Sequence, residues 1–388
     1  MSAAPAALVT DVEQVLRGAG WREPRVAGYA LMSSRVSVVA RLGVRCPDRP
    51  ASVVVKHVPA EQYGARHRNA WRREFLEEAA AYAVLSRPDV AFADRPAFLG
   101  LHPNGVAVLE DLGSRPDPLL PLDAVAPRLA LVLAKLHAAT RGRGELLSAE
   151  RRRVGLPEHG VDERYDGTTA AIRRRSAGGE LLADWPAATS VADSSAVRAL
   201  LSPVVRAVET PGPWHAVIHD DIANHRQCPT RDGRLLLLDF ENARYAHSLL
   251  DVAKVLVGKF ERDLERGDMV YQCPGFEPAL VGHYRAALAD AGGPTFDDDE
   301  FATALTDAVT YTLLVELGHL VELDARTVVR GGLLGNLGEL LARVDAVLGV
   351  PGGRPELRGV LTELRARVTL GRSLVGYPST PSRQGALR

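Results

Sequence analysis

Lysine is almost missing from this 388-residue sequence: Lys56, Lys135, Lys254 and Lys259 stand against 43 arginines. The bias is that of a GC-rich coding sequence. It gives each retained lysine weight, because a lysine in a buried strand supplies a compact point charge that the planar guanidinium does not. Cysteine is scarce too. Cys46, Cys228 and Cys273 show no paired spacing and no CxxC, which argues against a disulfide framework, a structural zinc site and a secreted context. No stretch approaches eighteen consecutive apolar residues, and Asp11 and Glu13 interrupt a start without a basic n-region, so the expectation is a soluble, cytoplasmic protein. A net charge of −1 without a long basic run argues against nucleic acid as partner and leaves a small ligand as the expectation.

What the sequence does contain is core. A hydrophobic content of 46% over 388 residues suffices for one large domain or two lobes. Thr10-Asp-Val-Glu13 reads as a capping box that opens a short helix. Val-, Ala- and Leu-rich runs at 25–31, 35–43 and 51–58 predict a three-strand antiparallel meander. A helix without Gly or Pro is predicted over 66–85, ended by Pro88. Two strands near 95–101 and 105–110, joined by His102-Pro-Asn-Gly105, complete a five-strand sheet with one helix across it.

Beyond Leu112-Gly113-Ser114 the pattern turns helical, with apolar residues at helical spacing over 123–140, 190–209, 247–265, 277–291, 300–322, 325–348 and 355–368. The Arg- and Gly-rich segment 141–186 reads as a surface insertion or as a substrate-selecting loop. The division expected is 1–112 for a nucleotide-binding lobe, 113–370 for a helical lobe and 371–388 for a tail.

The densest chemical signal runs from His219 to Asp251. An apolar run ends at Ile218, a polar loop follows, and four leucines predict a strand that delivers Asp239 at its end. Phosphoryl transfer needs one carboxylate to orient or deprotonate an acceptor hydroxyl and another to hold magnesium against the β- and γ-phosphates. Asp221 and Asp239, eighteen residues apart, suit these two roles.

His219-Asp220-Asp221, Asp239-Phe240-Glu241 and Asp251-Val252-Ala253 together resemble the aminoglycoside phosphotransferase and choline kinase-like family, relatives of the protein kinases. The order, spacing and intervening apolar run carry the resemblance, which extends from about residue 25 to about 255. It implies an α+β, two-lobed, protein-kinase-like fold, with a five-strand antiparallel N-lobe sheet plus one helix and a mostly helical C-lobe. It implies ATP and Mg as cofactors. Lys56, at the end of Val53-Val-Val-Lys56, would meet the nucleotide phosphates and be held by Glu78, with Glu74 and Glu77 as alternatives. Val108-Leu-Glu-Asp-Leu-Gly113 resembles the hinge, so the backbone of Glu110 and Leu112 would hold adenine. Ser33 and Ser34 would cover the phosphates from a hairpin that lacks the usual glycines. Leu133-Ala-Lys-Leu-His137 matches a second-lobe helix motif.

One departure stands out. The family places Asn five residues after the catalytic Asp, as a ligand to a second magnesium; here that position is Arg226. A guanidinium has no lone pair for a metal, so either the loop brings Asn224, the favoured ligand, or Gln227 inward, or a single magnesium is held and Arg226 contacts phosphate. His219 and Asp251 read as supports of the loop, and Glu241 as either a metal contact or a brace. The expected acceptor is a hydroxyl of an antibiotic or metabolite, for resistance or biosynthesis. A polycationic aminoglycoside is disfavoured by the balanced charge. Two other readings stand beside it. One is a kinase of Ser/Thr hydroxyls in a ribosomally made peptide, working with a partner enzyme and gripping the peptide with the Arg-rich tail. The other is a non-catalytic kinase-like binding protein, motivated by Arg226.

Overall fold

The computed structural model describes residues 4–33, 37–47, 51–58, 65–113, 122–156, 203–222, 228–262, 269–272 and 279–321. The sheet comprises β1 (Arg25–Ser33), β2 (Val38–Arg45), β3 (Ala51–His57), β4 (Phe98–His102) and β5 (Val106–Glu110), all antiparallel, in the order β1-β2-β3-β5-β4. Strand alternation divides its side chains between two faces. Leu42, Val44, Val53, Val55, Val106 and Val108 pack with Leu8, Val12, Val15 and Leu16 of α1 (Ala6–Gly18) in one core. Val39, Arg41, Val54, Lys56 and Leu109 line a cavity. Lys56 therefore reaches the cavity because it is two residues from Val54 on a strand whose intervening valine is buried.

Helix α2 (Ala65–Leu85) follows the sheet's third strand, and α3 (Leu122–Thr140) and α4 (Gly144–Arg153) follow β5. A two-stranded ladder of β6 (His215–Ile218) and β9 (Arg244–His247), the short hairpin β7 (Thr230–Arg231) with β8 (Arg234–Leu235), and α5 (Leu249–Val257) come next, and Pro229, Leu238, Asp239 and Glu241, between these strands, line the cavity. Another hairpin, β10 (Lys259–Arg262) with β11 (Met269–Gln272), precedes α6 (Ala279–Asp290) and α7 (Asp298–Val321). Helices α3, α5, α6 and α7 share one apolar core that includes Leu133, Leu136, Val252, Leu256, Tyr284 and Leu305. No helix among the described residues is long and apolar enough to cross a membrane.

Four expectations need correction. Helix α1 begins at Ala6 rather than at a Thr10 cap: the Thr10 hydroxyl donates back to the Ala6 carbonyl at 3.2 Å, and Glu13 accepts from Arg17, Arg25 and the Val26 N–H. The helix expected over 247–265 stops at Val257, because Gly258 takes φ 83° and the chain turns into β10. Of the four leucines before Asp239 only Leu235 lies in a strand; Leu236 and Leu237 are buried and bond singly to the Pro229 and Asp94 carbonyls. Finally, 144–153 is a packed helix instead of a surface insertion. Its Arg151 is buried and ion-pairs with buried Glu77 of α2, a pair whose loss of one partner would leave an uncompensated interior charge. The expected helices 325–348 and 355–368, the tail, most of 190–209 and residues 157–186 of the 141–186 segment lie outside the described residues.

Buried histidines flank the loop that matters most. His215 and His247 face each other in the β6/β9 register, with ring centroids 5.9 Å apart, and Trp214 stacks on His247. Burial pushes the His215 pKa down to about 4, and burial with the neighbouring His215 and His137 pushes His247 down to about 3. Both are therefore neutral in the fold and must gain protons to unfold below the ordinary histidine pKa. The sign follows: the stability they supply is complete above about pH 6.5 and is lost as pH falls toward 4, at about 1.4 kcal/mol per pH unit per histidine. Replacing both by Gln is expected to flatten the pH dependence of the urea midpoint between pH 6.5 and 5 relative to wild type. Parallel curves would show that these rings are not the proton acceptors.

Candidate active site

The cavity lies against the sheet and has a volume of about 690 Å³. Its chemical centre is Lys56. The ammonium stands 2.6 Å from Glu78 Oε2, 2.7 Å from Asp239 Oδ1 and 3.4 Å from Glu241 Oε2. Burial works against the charged lysine, but the three carboxylates outweigh it and hold its pKa well above the ordinary value. Glu78 is pushed up to about 7 by burial, opposed by Lys56 and reinforced by Asp239 and Glu241. Glu241 is raised by burial, by Asp239 and, against the pull of Lys56, by Asp221. Three carboxylates against one ammonium leave an excess of negative charge that a hard divalent cation would balance. Glu78, Asp239 and Glu241 offer oxygens within 4.8 Å of one another, a donor set suited to magnesium.

Local structure explains how each group arrives. Glu78 and Tyr82 are four apart on α2 and so share a helix face; Glu78 meets Lys56, whereas Glu77 points to Arg151. Asp239 adopts φ 64°, ψ 61° immediately before a 3-10 turn, Phe240–Asn242. That left-handed kink turns the chain at the cavity's edge, where both Asp239 and Glu241 line it. Phe240 is fully buried between rings: centroid distances are 4.9 Å to His219 and 5.2 Å to Tyr82, and Tyr82 stacks on Phe98 at 5.9 Å. A column of rings thus joins β4, α2, the Asp239 segment and the His219 loop.

The loop itself is held from below. His219 Nε2 bonds the Leu238 carbonyl at 2.6 Å, tying the loop to the residue before Asp239. Asp251, fully buried, accepts from the His219 and Asp220 N–H groups at 2.8 Å each and meets His137 Nε2 at 3.1 Å, while His137 Nδ1 meets the Tyr284 hydroxyl at 2.9 Å. Burial opposes the Asp251 charge, but these partners outweigh it and its pKa is lowered. His219 and Asp251 are supports, as their positions in the sequence suggested. Asp220 is buried and ion-pairs with Arg244 Nε at 2.6 Å and Lys254 Nζ at 2.7 Å. Asp221 is half-buried, its N–H on His219 Nδ1 at 3.3 Å. It does not line the cavity, but its charge reaches Glu241.

The remaining sequence candidates divide. Ser33, Glu110 and Leu112 line the cavity. Glu110 donates its N–H to the Ala97 carbonyl at 2.8 Å, and its carboxylate pairs with Arg231. Ser34, Asn224 and Arg226 lie outside the described residues. Sequence reasoning missed Arg41 and Asp111. Arg41 crosses from β2 to the segment after β5, with Nε 2.7 Å from Asp111 Oδ2 and Nη2 2.6 Å from the Gly113 carbonyl. Burial opposes the Asp111 charge, but Ser52, the Gly113 N–H and Arg41 outweigh it and lower its pKa. The pair fixes the segment that carries Leu112; no local pattern announces it, since the partners are 70 residues apart.

No family model matches this chain, and no curated protein matches it. Solved structures similar to it include an ethanolamine kinase of Plasmodium vivax, at 11% identity over 82% of this chain and 81% of that one, with a TM-score of 0.45. An aminoglycoside-3'-phosphotransferase of type VIII is 17% identical over 80% and 99%, with a TM-score of 0.38. A spectinomycin phosphotransferase in complex with ADP and spectinomycin is 11% identical over 93% and 98%, with a TM-score of 0.37.

Proposed function

We propose that this chain is an ATP-dependent phosphotransferase that moves the γ-phosphoryl group onto a hydroxyl of a small molecule. The observation that carries the proposal is Lys56 held between Glu78 and Asp239 inside one cavity, whose third carboxylate, Glu241, feels the charge of Asp221. In this reading Leu112 and Glu110 present backbone groups to the adenine, and Lys56 meets the phosphates. Asp239 and Glu241 would hold magnesium, which when bound neutralises charge on the phosphates. Asp221 orients the acceptor hydroxyl and takes its proton as the acceptor oxygen bonds to the γ-phosphorus; the bond from that phosphorus to the β–γ bridging oxygen breaks, and ADP leaves.

Two features favour a neutral or weakly charged acceptor over a polycation. The chain's net charge is −1, and the carboxylate next to Asp221 in sequence, Asp220, is neutralised by Arg244 and Lys254. A polycation would be drawn by uncompensated acid at this place. The test is calorimetric titration with ATP, with and without magnesium, followed by transfer assays on hydroxyl-bearing compounds and peptides read by the mass of one added phosphoryl group. Magnesium-dependent binding and phosphorylation of a small molecule are expected. No nucleotide binding at millimolar ATP would end the kinase reading, and phosphorylation confined to peptides would move the acceptor class.

A further inference from the structure

We infer that Lys254 is the positioning residue for Asp221, acting through the peptide that joins Asp220 to Asp221; for its catalytic consequence the inference rests on the phosphotransferase reading. Asp251 and Lys254 are three apart on α5, one turn along the same face. From that face the Asp251 carboxylate takes the N–H groups of His219 and Asp220, and the Lys254 ammonium donates to the Asp220 carbonyl. Both backbone polar groups of Asp220 are thus held by side chains of a single helix. The carbonyl gripped by Lys254 belongs to the peptide whose nitrogen is that of Asp221, so its orientation sets the direction in which Asp221 leaves the loop.

This peptide needs holding. Asp220 has φ 60°, a left-handed conformation that crowds the Cβ of an L residue and that glycine adopts freely. Asp220 compensates with its side chain, which Arg244 grips at 2.6 Å and Lys254 at 2.7 Å. Lys254 is therefore bonded to the same residue twice, at the carbonyl and at Oδ1. One compact ammonium with three donors satisfies two such closely placed oxygens, whereas a planar guanidinium spreads its donors over a wider fork. In a chain with 43 arginines and four lysines, a lysine here goes against the chain's general use of arginine, which agrees with a geometric requirement. Arg244 grips the Asp220 side chain, whereas Lys254 grips both the side chain and the carbonyl.

The experiment compares Lys254→Met and Lys254→Arg with wild type in the full chain, by steady-state kinetics, thermal unfolding and amide hydrogen exchange. In Lys254→Met, kcat is expected to fall by up to about 10²-fold, the cost of a reacting group displaced by about 1 Å, while KM for ATP is unchanged. Exchange should rise in the segment 215–222 and not in the five-strand sheet. Lys254→Arg should recover thermal stability but only part of kcat. A kcat loss that merely follows the unfolded fraction, or unchanged exchange over 215–222, would overturn the inference. So would a raised acceptor KM at unchanged kcat, which would put the ammonium on the acceptor instead. Should wild type prove inactive toward every acceptor, the functional reading fails, and the exchange comparison by itself still decides whether Lys254 holds the loop.

Discussion

Asp221→Asn is expected to lower phosphoryl transfer by about two to four orders of magnitude, the range typical of losing a general base, while ATP binding measured by calorimetry persists. The amide keeps the size of the carboxylate but offers no basic oxygen for the acceptor proton. Nucleotide binding survives because Lys56, Glu78, Asp239 and Glu241 line the cavity and Asp221 does not. The neighbouring Asp220 is the natural comparison, and the structure changes how that comparison reads. Asp220→Asn would leave Arg244 and Lys254, both mostly buried, without their shared counter-charge, a class of change that costs about 3–5 kcal/mol. Its activity must therefore be expressed per folded molecule. An Asp220→Asn enzyme with wild-type thermal stability and a larger kcat loss than Asp221→Asn would move the base to Asp220. On the present geometry the opposite is expected: lower stability for Asp220→Asn, and the larger kcat loss for Asp221→Asn.

Much of this site was legible because it is written locally. The apolar run Val53-Val-Val that ends at Lys56 marks the strand that carries the lysine, and the Gly- and Pro-free run 66–85 marks the helix that meets it. The order His219, Asp221, Asp239 and Asp251 preserves four positions that the fold brings together. Failures came where a local signal was overridden by a distant partner. Thr10 and Glu13 fit a helix start, yet Glu13 spends its oxygens on Arg25 and the Val26 N–H across the chain reversal. The leucines before Asp239 have strand composition, but Leu236 and Leu237 are pinned singly to Pro229 and Asp94, with no full ladder partner. The segment 144–153 looks polar because the partner of Arg151 is Glu77, 74 residues earlier. Arg41 with Asp111 and Lys254 with Asp220 were invisible for the same reason: the sequence spacing of an ion pair across a fold carries no period.

Lys56→Met should produce the second large effect, and it separates the chemistry of the lysine from its contribution to stability. Removing the ammonium takes a donor away from the phosphates, for which a loss of about 10²–10³-fold in turnover is reasonable. It also strands Glu78, which is buried and already pushed up to about 7 with the lysine present. Without that opposing charge, the Glu78 pKa rises further and the carboxyl is protonated at neutral pH. A carboxyl whose folded pKa lies above its unfolded value binds more protons in the fold, so its effect on stability has the opposite sign to that of His215 and His247: stability falls as pH rises between the two values. Lys56→Met is accordingly expected to unfold more readily at pH 8 than at pH 6. The double variant Lys56→Met/Glu78→Gln removes the titrating group and should recover much of the stability at pH 8 while staying inactive. Urea midpoints at the two pH values, alongside kcat/KM for ATP, test this for both variants. Recovery of activity together with stability would show that Lys56 serves the fold alone, since in that case a neutral pair would suffice where a cation facing phosphate was required.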